Sequence, residues 1–316
     1  MRAVDPRPWV VTCDPGVDDA VALAVVAGRD DCDVRAIVAG AGNVDAPTAW
    51  RNARGLADLL GLDVPVAMGS AATVGGRAIS RAGHAHGADG LAGLAHRLPC
   101  PDGDASGDPV AGEDLVRGDV IATGPLTDVA LALRAGRPVG HVVWMGGSYA
   151  PAAEAPGPVA RHVDPPAAEA PGPVAREFNA GVDPQAVDVV LGAAAELAVV
   201  PIEVTRQVTL GPQDLARWSS GPPTARLCAD LAARRPGQGG HRIGLHDPVA
   251  VVAALDPELF RWEQRRLRCA GGDAPPGALV AVAGPPSAAI AVAVDVAAVR
   301  DRIVEAVLAA GRAEHG

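Results

Sequence analysis

The chain has 316 residues, 49% of them hydrophobic, and a formal net charge of -10. That length allows one large core or two smaller ones, and the acidic balance argues against nucleic-acid backbones and anionic membrane surfaces, which both require basic patches. No run approaches the roughly 20 uninterrupted apolar residues of a membrane span, because the Ala- and Val-rich stretch from Ala278 to Val294 is cut by Gly284-Pro285-Pro286. Cys13, Cys32, Cys100, Cys228 and Cys269 form no CxxC pair, so neither a disulfide framework nor a zinc site is expected. The charged, proline-containing start, Met1 to Pro8, reaches the first apolar run without a signal-peptide segment, and a cytoplasmic location is the expectation. All 27 basic residues are arginine, a compositional bias that carries no mechanism.

Apolar runs and helical periodicity predict a strand from Trp9 to Cys13, a helix from Asp18 to about Gly28, and a strand from Asp33 to Ala39. A helix from Pro47 to Leu60 and a strand from Val64 to Met68 complete a βαβαβ unit with right-handed crossovers. Residues 69–118 dissolve into Gly, Pro, Asp and His and read as an active-site loop or a mobile flap, with only Val110 to Arg117 left for a short helix. The pattern resumes with a strand from Asp119 to Ala122, a helix from Leu126 to Arg134 and a strand from His141 to Met145.

A second expected active-site loop, 147–178, contains PAAEAPGPVAR twice, at Pro151 to Arg161 and Pro166 to Arg176, a local duplication read as extended chain. Further helices are expected at Asp183–Leu191, Pro212–Ser219, Ala225–Arg235 and from Asp247, with a strand from Glu196 to Pro201. Strands near Phe260 to Cys269 and at Ala288 to Val294 precede a last helix, Val296 to Ala310. The alternation implies an α/β fold with a mostly parallel central sheet and flanking helices. No linker interrupts it, so residues 1–316 read as one domain.

Asp14-Pro15-Gly16-Val17-Asp18-Asp19 places three carboxylates where the first strand turns into a helix. Such crowding raises each group's pKa unless a hard cation offsets the repulsion. Taken alone, the segment also fits a Pro-Gly turn with Asp18 and Asp19 at the positive end of a helix. In a parallel sheet ligands bind outside the carboxyl ends of the strands, and Asp14, Asn43 and Thr123 each fall just past one.

Together with Thr123-Gly124-Pro125-Leu126-Thr127-Asp128, Glu177-Phe178-Asn179 and Leu245-His246-Asp247-Pro248, the first motif resembles the nucleoside hydrolases, in the expected order from Val10 to about Pro257. The resemblance implies Ca²⁺-dependent cleavage of the N-glycosidic bond of ribonucleosides, with Asp14, Asp19 and Asp247 as carboxylate ligands and Thr123 as a carbonyl ligand. It makes Asp14 the general base toward water and His246 the group that activates the departing base. Asp18, Asn43, Glu177 and Asn179 would hold the ribose hydroxyls, and His84 and His86 would lie near the base. It also implies a dimer or tetramer acting on a small-molecule ribonucleoside, in purine and pyrimidine salvage.

Two positions depart from the family pattern. Thr12 stands where a carboxylate normally opens the first motif, and Pro171 stands where an asparagine normally meets the ribose 5'-hydroxyl end. Both favour the alternative of an impaired homologue that binds metal and ribose without turnover. A dinucleotide-binding dehydrogenase is disfavoured because Gly40-Ala41-Gly42-Asn43 lacks the third glycine and follows the second strand. Aspartyl-nucleophile phosphatases need an acid at position 16, which is glycine. Cys13 has no paired base and is not read as a nucleophile.

Overall fold

The computed structural model describes residues 7–79, 86–99, 112–149, 177–234, 243–271 and 274–310. β1 (Arg7–Cys13), α1 (Val17–Ala27), β2 (Cys32–Ala39), α2 (Ala46–Leu60) and β3 (Val66–Met68) form the expected opening unit. A single turn, α3 (Gly112–Leu115), precedes β4 (Gly118–Ala122), α4 (Thr127–Arg134) and β5 (Val139–Met145). Then come α5 (Phe178–Val182), α6 (Pro184–Ala193), β6 (Glu196–Val200), α7 (Ile202–Thr205), β7 (Thr209–Leu210), α8 (Pro212–Ser219) and α9 (Pro223–Arg234). The rest is β8 (Ile243–Gly244), α10 (Asp247–Leu255), β9 (Phe260–Arg265), β10 (Leu267–Cys269), β11 (Leu279–Ala281), β12 (Ala288–Val294) and α11 (Val296–Ala309).

Eight strands make one sheet in the order β3-β2-β1-β4-β5-β6-β12-β9, parallel throughout except for β9, which runs antiparallel to β12. Strand alternation sends Trp9, Val11 and Cys13 into one core with α1, α2, α9, α10 and α11, and Val10 into a second core with α4 and α6. Both faces are covered, as a parallel sheet requires.

The helices start where their side chains satisfy otherwise orphaned amides. Asp45 accepts from Thr48 N at 2.9 Å, Asp183 from Ala186 N at 3.2 Å, and Asp295 from Ala298 N at 3.0 Å. Asp183 also accepts from Val74 N at 2.7 Å and from Thr127 Oγ1 at 2.9 Å, so one carboxylate ties α6 to α4 and to the loop after β3.

The structure departs from the expected elements in three places. The strand expected near Phe260 to Cys269 breaks at Arg266: β9 stays with β12, while β10 leaves to pair with β11. The short helices α5 and α7 carry too few residues for a period to register in sequence. The β7–β8 ladder joins two-residue strands far apart in the chain. Both copies of PAAEAPGPVAR, Pro171 and His84 lie outside the described residues. Among those described, no helix is long and apolar enough to cross a membrane.

Candidate active site

The strand order reverses between β1 and β4, and a crevice opens outside the carboxyl ends of the strands at such a point. Asp14 and Thr123 leave those two ends, and residues 40–43 leave the adjacent end of β2. Two helix N-termini bring in Asp18 and Asp19 on α1 and Asp247 on α10, where the helix dipoles favour negative charge.

Asp18, Asp19 and Asp247 are all buried, and one carboxylate oxygen from each lies within 4.8 Å of the others. Oxygens on opposite sides of a calcium ion, at about 2.4 Å each, are separated by about that distance. The donor set is entirely oxygen, so the residues fit a hard divalent cation.

Asp19 is the most embedded of the three. Its Oδ2 accepts from Gly16 N at 2.9 Å and from Asn43 Nδ2 at 3.2 Å, and its Oδ1 accepts from Thr123 Oγ1 at 2.8 Å. The capping role open to an acid at this position is therefore present together with membership of the cluster.

Asp14 stands beside this triplet and is not one of the three. Its Oδ2 accepts from Asn43 N at 2.7 Å, and its carbonyl accepts from Asn43 Nδ2 at 3.1 Å. Glycines hem it in: a Cβ on Gly42 would stand 1.9 Å from Oδ2, and one on Gly124 would stand 2.7 Å from Oδ1. The sequence grouped Asp14, not Asp18, with Asp19 and Asp247. Asp18 shares the first turn of α1 with Asp19, whereas Asp14 is fixed at the end of β1 by the chain leaving β2.

Burial, then the neighbouring Asp19 and Asp18, push the Asp14 carboxyl well above its ordinary range, against the Asn43 amide that favours the charged form. Asp19 is raised by burial and by Asp18. A bound cation reverses both causes, since it replaces lost hydration and cancels like-charge repulsion.

The remaining expected residues gather around these acids. His86 is buried, accepts from Val17 N through Nδ1 at 3.1 Å, and has Nδ1 3.7 Å from Asp18 Oδ1. The His246 backbone N donates to Asp18 Oδ2 at 3.4 Å, and its Nδ1 lies 2.8 Å from Thr205 Oγ1. Asn179 donates through Nδ2 to the carbonyls of Thr123, at 2.8 Å, and Met145, at 3.0 Å. Both amide protons are thus used within the protein, leaving Oδ1 as the atom with which Asn179 can address a hydroxyl.

Glu177 accepts from the backbone amides of Asn179, Ala180 and Gly147 at 2.7–2.9 Å, so it caps α5 and ties it to the end of β5. A ribose hydroxyl would have to share these oxygens. Thr12 is buried and, among the described residues, its Oγ1 has no hydrogen-bond partner. Cys13 is buried in the core beneath Asp14, its Sγ 3.9 Å from the Val38 carbonyl, and burial followed by Asp19 raises its thiol well above the usual range. A thiolate nucleophile is disfavoured there.

Sequence reasoning missed the glycines beside Asp14, the hydroxyl of Thr123, and Thr205. The TGPLT run and the Gly40-Ala41-Gly42 turn could have pointed to the first two, whereas nothing local marks Thr205.

The family model for inosine-uridine preferring nucleoside hydrolase matches residues 9–301. The chain is 30% identical over 275 residues to the pyrimidine-specific ribonucleoside hydrolase RihA of Photobacterium profundum, covering 80% of this chain and 81% of that protein. It is 31% identical over 283 residues to the probable uridine nucleosidase 2 of Arabidopsis thaliana, covering 84% and 82%. Among solved structures, the plant nucleoside hydrolase PpNRh1 superposes with a TM-score of 0.80 at 26% identity, over 96% of this chain and 99% of that one. The purine-preferring ribonucleoside hydrolase from Gardnerella vaginalis shares the fold, with a TM-score of 0.79 at 22% identity over the same shares. With the match running from β1 into α11 and the acids at the strand ends it covers, the chain belongs to the inosine-uridine preferring nucleoside hydrolase family.

Proposed function

We propose that this protein is a Ca²⁺-dependent ribonucleoside hydrolase that releases free base and ribose. The observation that carries the reading is the buried convergence of Asp18, Asp19 and Asp247 beside Asp14 at the reversal of strand order. Asp19 and Asp247 would hold the ion, with Asp18 within reach and the Thr123 carbonyl and Asp14 at its edge. When bound, the ion supplies positive charge that makes water a stronger acid and gives vicinal sugar hydroxyls a docking point.

Asp14 takes the proton from the attacking water. Its carboxylate is preset for this by the Asn43 amide and confined by Gly42 and Gly124. As the base departs, positive charge develops on the ribose ring, and the surrounding carboxylates stabilise it, as in other glycoside hydrolyses. Asn43, Asn179 and Glu177 orient the sugar, with Asp18 shared between ion and hydroxyl. His86 faces the base, a role the sequence resemblance extends to His84, and His246 activates it for departure.

Names of relatives at 30–31% identity, for uridine and pyrimidine ribonucleoside cleavage, make uridine the first substrate to assay and inosine the second. Reducing-sugar release from both, with chelator-treated and Ca²⁺-replenished protein, tests the reading. Release that returns only with the ion is the expected result; release untouched by chelation, or none at all, contradicts it.

A second reading is favoured by the unpartnered buried hydroxyl of Thr12, where the family pattern has a carboxylate. Here the protein binds metal and ribose without turnover. Calcium-dependent ribose binding with no sugar released from either nucleoside would select it.

A further inference from the structure

Thr205 is the last residue of α7, just beyond the carboxyl end of β6, and is wholly buried. A buried hydroxyl costs free energy unless it is hydrogen-bonded, and valine would fill the same space without that cost. The side-chain partner of this hydroxyl is the His246 imidazole, with Oγ1 2.8 Å from Nδ1; the other contact is a weak one to the Ile202 carbonyl at 3.4 Å.

The platform beneath Thr205 is itself braced. Ile202 N donates to the Gly147 carbonyl at 3.0 Å, and Gly147 N donates to Glu177 Oε2 at 2.7 Å. On the same turn, Glu203 accepts from Tyr149 N at 2.9 Å and from the Ser148 hydroxyl. His246 is thus held at two points, its backbone amide by Asp18 and its ring by a hydroxyl from a separate, pinned element.

We propose that Thr205 is the positioning residue for His246. Its hydroxyl engages Nδ1 and fixes the ring, so that a departing base is met through Nε2. With the Thr205 hydroxyl donating to Nδ1, the neutral ring keeps its proton on Nε2, from which it passes to the departing base; with Nδ1–H donating instead, Nε2 has a proton to give only as the imidazolium. The proposal rests on the hydrolase reading above and adds to it a residue that makes no contact with substrate.

The test compares Thr205→Val, which removes the hydroxyl at nearly constant volume, with Thr205→Ser, which keeps it. Each is assayed on uridine and on p-nitrophenyl β-D-riboside, whose phenolate leaves without a proton. Thr205→Val should lower kcat on uridine by about 10- to 100-fold, a fraction of what a positioned acid contributes, with KM little changed. On the aryl riboside kcat should stay within about threefold of wild type, since general-acid help is not drawn on there. Thr205→Ser should recover most of the uridine rate. On a His246→Ala background, Thr205→Val should cost nothing further.

Equal loss on both substrates, no loss on uridine, or a full additional loss on the His246→Ala background would overturn the positioning role while leaving the hydrolase reading in place. A wild-type protein that cleaves neither substrate overturns both. Should Thr205→Val fail to fold, Thr205→Ala removes the same hydroxyl without adding an apolar group and carries the same comparison.

Discussion

Thr123 Oγ1 donates to Asp19 Oδ1 at 2.8 Å, joining the residue after β4 to the first turn of α1 across the reversal of strand order. The bond orients one carboxylate of the acidic triplet. Thr123→Val, which leaves the main-chain carbonyl in place, should weaken Ca²⁺ affinity or activity by roughly 10- to 100-fold, as removal of such supporting partners commonly does. Thr123→Ser should restore most of it. The Ca²⁺ concentration giving half-maximal turnover is the measurement.

Gly42 is as important to Asp14 as any polar partner, because a methyl group there would occupy the space of the carboxylate. Gly42→Ala should reduce kcat at least about 100-fold by displacing the base, and overpacking of this kind should cost about 1–3 kcal/mol of stability. Gly192, in the last turn of α6, has open space where its Cβ would go. Gly192→Ala should instead stabilise by up to about 0.5 kcal/mol with activity unchanged. Steady-state kinetics and denaturant melts on the pair check both signs.

Asp128 is buried on the first turn of α4, accepts from Ser70 N at 2.8 Å, and is pushed by burial from 3.8 to about 6. The folded state therefore holds this proton more tightly than the unfolded chain. The contribution to stability is greatest below about pH 4 and is lost as pH rises through about 6, amounting to about 3 kcal/mol. Asp128→Asn keeps the acceptor for Ser70 without the charge. It should be more stable than wild type at pH 7 and lose that advantage near pH 4, as read from chemical denaturation at both pH values.

Thr12 carries a buried hydroxyl without a hydrogen-bond partner among the described residues. Thr12→Val should stabilise the protein by about 1 kcal/mol, because an unsatisfied buried polar group is replaced by an apolar one of the same shape. Thr12→Asp should raise turnover by restoring a carboxylate next to Asp14. A melt on the first variant and a rate on the second check the two effects separately.

The arrangement of the sheet was legible as far as local pattern carried it. Runs such as Trp9 to Cys13 and Ala288 to Val294 are apolar because both faces of the sheet are covered. The departure of β10 from β9 was not legible, because its partner, β11, lies in a later, separate segment.

Motif order was enough to bring Asp19 and Asp247 together from 228 residues apart. That Asp18 joins these two, with Asp14 beside the group, was not readable. That depends on the turn between β1 and α1, which sets Asp18 toward α10 and leaves Asp14 against residues 42 and 43. Thr205 was invisible for a related reason: its meaning comes from His246, 41 residues away.

The central proposal is that Asp19 and Asp247, with Asp18 and Asp14 beside them, hold one divalent cation within a buried site, and calorimetric titration of chelator-treated protein with Ca²⁺ tests it most directly. One ion should bind per chain, raise the melting temperature more at pH 8 than at pH 5 because protons compete for the same carboxylates, and be lost in Asp19→Asn and Asp247→Asn. Folded wild-type protein that takes up no Ca²⁺, or binding that survives both substitutions unchanged, would contradict it.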